Sequence, residues 1–234
     1  MARDKKTDCL EGLRKRILTL DIAPGAPLDE ALLSEEYGIS RTPLREVLQR
    51  LSGEGYVEIV ENRGAKATSM DLMVLRTFFE TAPLIYATIA RQAAENRKTI
   101  EVETLKTAQK AFLAAISAGD AGTAALENHR FHATIGQMAH NPYLLASLNR
   151  MLIDHTRLSQ TFYRPATLPE ERRVAQAGQQ HDAMIAAIEG HDPGAAVALT
   201  LQHWDLSRDQ IERFVRPDPL PLDVISLKDQ RNAV

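Results

Sequence analysis

Residues 40–51, Ser-Arg-Thr-Pro-Leu-Arg-Glu-Val-Leu-Gln-Arg-Leu, constrain this chain more than any other stretch. Leu44, Val47, Leu48 and Leu51 stand at i, i+3, i+4 and i+7, one apolar stripe along a helix. Arg41, Arg45 and Gln49 stand at i, i+4 and i+8 on a different face, with Thr42 beside them in the first turn. Ser40 is a good N-cap, and Pro43 falls where its missing N–H leaves no helical bond unmade. Just upstream, a helix from about Asp29 to Tyr37 ends at Gly38, a residue that takes the left-handed conformation of a helix C-cap without steric cost. Such a pair is what a helix-turn-helix requires: the second helix turns its leucines to the core and its N-terminal side chains to base edges. Arginine pairs with guanine in the major groove, and a helix N-terminus favours phosphate. The plain alternative is a solvated face of charged residues.

The flanking sequence completes a small unit. Leu10, Leu13, Ile17 and Leu20 have helical spacing, and Pro24-Gly25 breaks the chain after them. Tyr56–Val60 reads as a strand, Asn62-Arg63-Gly64 as a turn and Ala65–Thr68 as a returning strand. The tip of that hairpin carries Arg63, Gly64 and Lys66 towards a phosphate backbone or minor groove. Charge totals give no support: the formal net charge is -3, and residues 1–68 hold 11 Lys/Arg against 12 Asp/Glu. DNA binding therefore depends on placement, with Glu46, Glu54, Glu58 and Glu61 expected to face away from a duplex.

From Met70 the character changes to Ala/Leu-rich helical segments, roughly 71–97, 99–118, 121–139, 141–164, 168–190 and 192–216, separated by short Gly, Asn and Pro punctuation. No internal repeat is evident. Alternating Pro217, Pro219 and Pro221 predict an extended tail. The fold class is thus mainly α. Residues 1–69 are expected to form a winged helix-turn-helix of three helices and a β-hairpin, 70–216 an all-α antiparallel bundle of about six helices, and 217–234 the tail. Cys9 is the only cysteine, which excludes a disulfide framework and a thiolate metal cluster. The N-terminus lacks the apolar core of a signal peptide, and no apolar run approaches the ~20 residues of a membrane span. The expected compartment is the cytoplasm, with no membrane partner.

Among the seven histidines, His132 shares a helix face with Asn128 at i, i+4, while His181 and His203 lie in the fifth and sixth segments of the bundle. Facing helices of an antiparallel bundle can bring three imidazoles to one internal point. Three imidazoles and an oxygen suit Zn²⁺, Ni²⁺ or another borderline divalent cation. Taken singly, each histidine is better read as a surface or core residue. Three histidines with an open position would also describe a hydrolytic zinc, although the sequence offers no evident general base, since Glu127 points off the Asn128/His132 face. A scaffolding module without effector is a third reading.

The stretch from Ala26 through Ser40-Arg-Thr-Pro-Leu-Arg-Glu46 to Asn62-Arg-Gly-Ala resembles the winged helix of the GntR family of bacterial regulators, across residues 10–68. Phe131-His132, Gln180-His181 and Gln202-His203 resemble the FCD effector domain that partners it, in a shorter VanR-like form over about 71–216. The resemblance implies DNA contacts from Arg41, Thr42 and Arg45, with Gly64 at the wing tip; Ala31 stands where many members carry an arginine. The metal pattern, an Asp four residues before the first of three histidines, falls on Asn128, His132, His181 and His203, with Asn128 replacing the usual Asp. Ala82 and Tyr86 stand where members often show Arg and Glu. The resemblance makes Tyr86, Arg130 and Arg157 candidate anchors for an effector, a small carboxylate in the family manner. The implied protein is a non-enzymatic, metabolite-responsive repressor that binds palindromic double-stranded operator DNA as a homodimer.

Overall fold

The computed structural model describes residues 4–215, with side chains through residue 206; the tail expected at 217–234 lies outside the described residues. The N-terminal unit comprises α1 (Lys5–Leu18), β1 (Pro27–Leu28), α2 (Glu30–Tyr37), α3 (Arg41–Glu54), β2 (Val57–Val60) and β3 (Gly64–Ala67). Local chemistry sets these boundaries. Asp29 caps α2 by accepting from the N–H groups of Ala31 and Leu32, and Gly38 closes it at φ 59°. Ser40 occupies the N-cap of α3 in extended conformation but makes no side-chain capping bond. Leu44, Val47, Leu48 and Leu51 are buried against Leu13, Ile17, Leu33 and Val57. The wing is a three-stranded antiparallel sheet in the order β1-β3-β2. Its first strand, only two residues long, pairs Pro27 with Lys66 and Leu28 with Ala65; it is too short to leave a periodic signal.

The second unit contains α4 (Leu72–Asn96), α5 (Thr99–Ser117), α6 (Ala121–Met138), α7 (Pro142–Phe162), α8 (Leu168–Glu189) and α9 (Pro193–Val215). α4 is its central helix and packs on α6, α7, α8 and α9. Contrary to the sequence expectation, α4 is long and apolar enough to cross a bilayer by length and composition. In this fold Leu75, Phe78, Ala82, Tyr86, Ile89 and Ala93 go to the bundle core, while Leu72, Met73 and Leu84 remain exposed.

α7 joins the two units. Ile153 is part of the winged unit's core. The fully buried Arg157 donates from Nη1 to Thr68 O at 3.1 Å and to Asp154 Oδ1 at 3.3 Å, and from Nη2 to Thr68 Oγ1 at 3.1 Å. The Thr68 hydroxyl faces the carbonyls of Gly55 and Tyr56, at 3.2 and 3.3 Å, where α3 ends. Gln160 Nε2 donates to Leu18 O at the end of α1. Elsewhere a cleft of about 1040 Å³ separates the units, bordered by Arg14, Glu54, Tyr56, Leu126 and Arg150.

Candidate nucleic-acid interface and candidate metal centre

Burying the leucine stripe of α3 turns its other face outward, so Arg41, Thr42, Arg45 and Gln49 are all exposed. Arg63 and Gly64 are exposed at the wing, and Gly64 holds φ 79°, a conformation that favours glycine. A groove between α3 and the wing is bordered by Arg45, Gln49, Ile59, Glu61 and Asn62. The basic residues of this surface are partly committed. Glu30 Oε2 accepts from Arg45 Nε at 3.2 Å, and Lys66 pairs with Glu58 at 2.9 Å. Glu46 is engaged by Lys6, and Glu54 by Arg14 and Arg50. Of the four acids expected to face away from DNA, Glu61 does not: it borders the groove. Ala31 is exposed at the start of α2 and offers no charge there.

In the bundle, α6 supplies Asn128 and His132, α8 supplies His181 and α9 supplies His203. All four are buried, and ligand nitrogens of the three histidines lie within 4.8 Å of one another. Their orientation is enforced. Gln109 of α5 donates from Nε2 to Gly178 O and Asp182 Oδ1, both at 2.9 Å, so its Oε1 accepts from His181 Nδ1 at 3.0 Å. Gln180 Oε1 takes the same part for His203 Nδ1 at 3.0 Å. With both Nδ1 protons so placed, the two Nε2 lone pairs face each other 3.3 Å apart. Fixing a ligand imidazole through its other ring nitrogen is the habit of metal sites. Two ligands of a tetrahedral ion at Zn–N of roughly 2.0–2.1 Å stand about 3.3–3.4 Å apart.

Two further atoms point the same way. His132 Nε2 and Asn128 Oδ1 are buried with no hydrogen-bond partner, a condition that demands an explanation in a folded protein. A cation shared by three imidazoles and one amide oxygen supplies it, so the residues present fit a divalent ion. Burial, reinforced by the neighbouring imidazoles, holds His132 and His181 well below the usual histidine range, and burial lowers His203 to about 4. All three are therefore neutral near pH 7, and binding a metal there displaces no proton from them.

Rings hold the cluster in place. His181 stacks on Phe131 at 4.0 Å between centroids, with Phe112 at 4.9 Å. Tyr86 lies edge-on to His132 and beside Trp204, and its hydroxyl is 2.8 Å from Nδ1 of the buried His155. Of the three effector anchors expected from the sequence, only Tyr86 reaches the cluster. Arg130 is exposed on the outer side of α6, within 3.7 Å of Glu127. Arg157 is a correction: its guanidinium is consumed by Thr68 and Asp154 between the two units, with no share in the histidine cluster. Sequence reasoning missed His155, a lone histidine without a spacing partner, and Gln109, a helix-interior amide that carries no pattern at all.

Residues 7–66 match the family described as bacterial regulatory proteins, gntR family, and residues 79–206 match the FCD domain. The galactonate operon transcriptional repressor of Escherichia coli K12 is 27% identical over 211 residues, which are 81% of this chain and 90% of that protein. The transcriptional repressor GlaR of the same organism is 27% identical over 201 residues, 82% of this chain and 88% of that one. Among solved structures, E. coli McbR/YncC superposes with a TM-score of 0.76 at 15% identity, covering 92% of this chain and all of the other. A GntR regulator from Rhodococcus sp. RHA1 gives 0.69 at 16% identity, over 90% and 99%.

Proposed function

Because the chain belongs to the GntR family of bacterial regulators that carry an FCD domain, we propose that it is a cytoplasmic, ligand-responsive repressor that binds a palindromic operator as a homodimer. The units 1–69 and 70–216 are its reading head and its sensor. The observation that carries the reading is the exposed set Arg41, Thr42, Arg45 and Gln49 on a helix whose opposite stripe is fully buried. Repression is the sign borne by the galactonate and GlaR relatives. Homodimerisation follows from geometry, since one short recognition helix reads too few base pairs to find a genomic site, whereas two across a dyad suffice.

A divalent cation, zinc or nickel by its donor set, would be held by Asn128, His132, His181 and His203, and would supply a fixed positive charge between α6, α8 and α9. A hydrolytic role is disfavoured by the surroundings: the rings of Tyr86, Phe131 and His155 border the cluster.

Fluorescence anisotropy on DNA from the chain's own upstream region tests the reading. Arg41→Ala and Arg45→Ala are each expected to lose about 1–3 kcal/mol and to relax base preference. Lys66→Ala should weaken all sequences alike and flatten the salt dependence. Native affinity in both arginine variants would withdraw α3 as the reading helix.

A further inference from the structure

Away from the histidine cluster, the cleft of about 1040 Å³ between the two units has the walls of a ligand site, and we propose that it takes a sugar phosphate, held between Lys15 of α1 and Arg150 of α7. The proposal does not depend on the metal assignment and goes beyond the DNA reading.

α1 and the end of α3 form the wall on the winged side, and α6 and α7 the wall on the bundle side. Leu126 borders the cleft and, with Ile153, packs on the winged unit's core, which joins the two walls. Gly53, Gly55 and Ala146 keep the space wide, and a Cβ placed on Gly53 would meet no atom within 4 Å. A volume of this order holds a small metabolite. The carbonyls of Gly55 and Tyr56, both bordering the cleft at the end of the recognition helix, face the Thr68 hydroxyl that Arg157 holds. An occupant of the cleft therefore stands beside the junction of the two units.

Charge decides the sign of the ligand. Three cations border the cleft, Arg14, Lys15 and Arg150, against two acids, Glu11 and Glu54. Both acids are engaged by Arg14: Glu11 Oε1 accepts from its Nη1 at 2.6 Å and Glu54 Oε2 from its Nε at 2.9 Å, and Arg50 reaches Glu54 as well, at 3.1 Å. Lys15 makes no ion pair among the described residues and acts on Asp120 only through space. Arg150 gives one nitrogen to Asp154 at 3.4 Å, but that carboxylate is shared with the buried Arg157, so positive charge is left over. A phosphate monoester carries a charge of about −1.5 to −2 at pH 7, enough for one cation from each unit. The neutral lining suits the sugar. His129 Nδ1 stands 2.8 Å from Thr156 Oγ1, whose own proton goes to Leu152 O at 2.6 Å; the imidazole thus keeps its proton on Nδ1 and leaves Nε2 as an acceptor for a ligand hydroxyl. Asn149 adds an amide, and Tyr56 and Leu126 add apolar faces. Because Lys15 and Arg150 belong to different units, a ligand bridging them binds best the setting that brings both within its span, and draws the population of domain arrangements towards it.

The test uses the full chain, stripped of metal with a chelator and exchanged into buffer free of phosphate and carboxylates. Titration calorimetry with glucose 6-phosphate should show one ligand per chain, with inorganic phosphate and gluconate each about tenfold weaker or worse. Lys15→Ala and Arg150→Ala should each weaken glucose 6-phosphate by about tenfold. Gly53→Leu, which puts bulk into the open cleft and touches no charge, should abolish binding and leave the melting temperature unchanged. In the native chain glucose 6-phosphate should shift operator Kd several-fold, and in Gly53→Leu it should not. Gluconate binding as tightly would overturn the phosphate, and inorganic phosphate binding as tightly would overturn the sugar. Native binding in both Arg150→Ala and Gly53→Leu would overturn the location. Binding that appears only once zinc or nickel is restored would overturn it too, and would place the ligand at the histidine cluster. No binding by calorimetry or equilibrium dialysis would overturn the proposal outright. Calorimetry needs no DNA, so loss of operator binding would fall on the DNA reading alone.

Discussion

Glu30 Oε2 accepts a hydrogen bond from Arg45 Nε and, among the described residues, leaves both terminal nitrogens of that guanidinium free. A guanine edge needs that pair, offered in one plane to O6 and N7. Arg45 is two-thirds exposed and Glu30 one-quarter, so the ion pair adds little to stability and its value lies in aim. Replacing Glu30 by Ala is expected to move two quantities in opposite directions. Affinity for random DNA should rise, because a negative charge near the phosphates is gone, while the ratio of operator to random affinity should fall several-fold. An unchanged ratio would show that Glu30 does not aim Arg45. The arginines themselves were legible from spacing, because a two-faced helix announces its solvent side. The histidine set was only faintly legible from the Asn128/His132 spacing and was singled out through family resemblance, since residues on three helices leave no common period. Gln109 and His155 were not legible at all: what makes them matter is an orientation set by Gly178, Asp182 and Tyr86, 69 to 73 residues away in the chain.

α7 is the element on which sequence and structure part most instructively. Its polar run Asp154-His155-Thr156-Arg157, followed by Ser159-Gln160, gives the segment read as helix 141–164 no clean apolar stripe, and all six residues are buried. The reason is that α7 has no free side there: one flank meets the bundle and the other the winged unit. A periodicity argument assumes one wet face and fails for a helix enclosed between domains. The Asp154–Arg157 pair carries the cost of that position. Burial raises the Asp154 carboxyl and lowers the Arg157 guanidinium, outweighing the attraction between them. Removing one partner leaves the other charge uncompensated, so Asp154→Asn should lose about 3 kcal/mol in urea denaturation. An apolar pair, Asp154→Leu with Arg157→Met, should stand closer to the native protein. A loss below about 1 kcal/mol in the single variant would mean that Thr68 already satisfies Arg157 without Asp154. A second test lies at Gly55, whose φ of 89° strains any side chain and where a Cβ would lie 2.4 Å from Arg150 Cδ, so that the Arg150 side chain would have to shift. Gly55→Ala should lose about 1–2 kcal/mol and loosen the end of α3 against α7. Retained stability with unchanged operator affinity would argue against that contact.

For the whole molecule, the proposed ion and the proposed second copy would bear on stability and specificity. Loading the site at a hundred times its Kd should raise stability by about 2.7 kcal/mol, roughly 5–10 °C of melting temperature for a chain of this size. Asn128→Asp should widen that interval by giving the ion a charged ligand, and a melting curve indifferent to zinc or nickel would remove the cation from the account. α4 carries an exposed apolar surface that a second copy would cover. Met73 and Leu84 are each 69% exposed and Leu72 61%, on a helix whose other side is core, and Tyr143 at the start of α7 is exposed as well. Next to them Met73, Thr77, Phe78, Met151 and Asp154 border a groove between α4 and α7. Apolar area of this kind, grouped on adjoining helices, is unusual on a monomer and typical of a face covered by a partner. If that partner is a second copy, sedimentation should give about twice the 26.0 kDa chain mass at micromolar concentration. Leu84→Glu, which puts two like charges across a dyad, should return the monomer. The monomer should still bind a half-site through Arg41 and Arg45 yet lose the steep gain in affinity that a palindrome confers on a dimer. A dimer undisturbed by Leu84→Glu would move the interface off α4, and a monomeric native chain with full affinity for a palindrome would remove dimerisation from the mechanism.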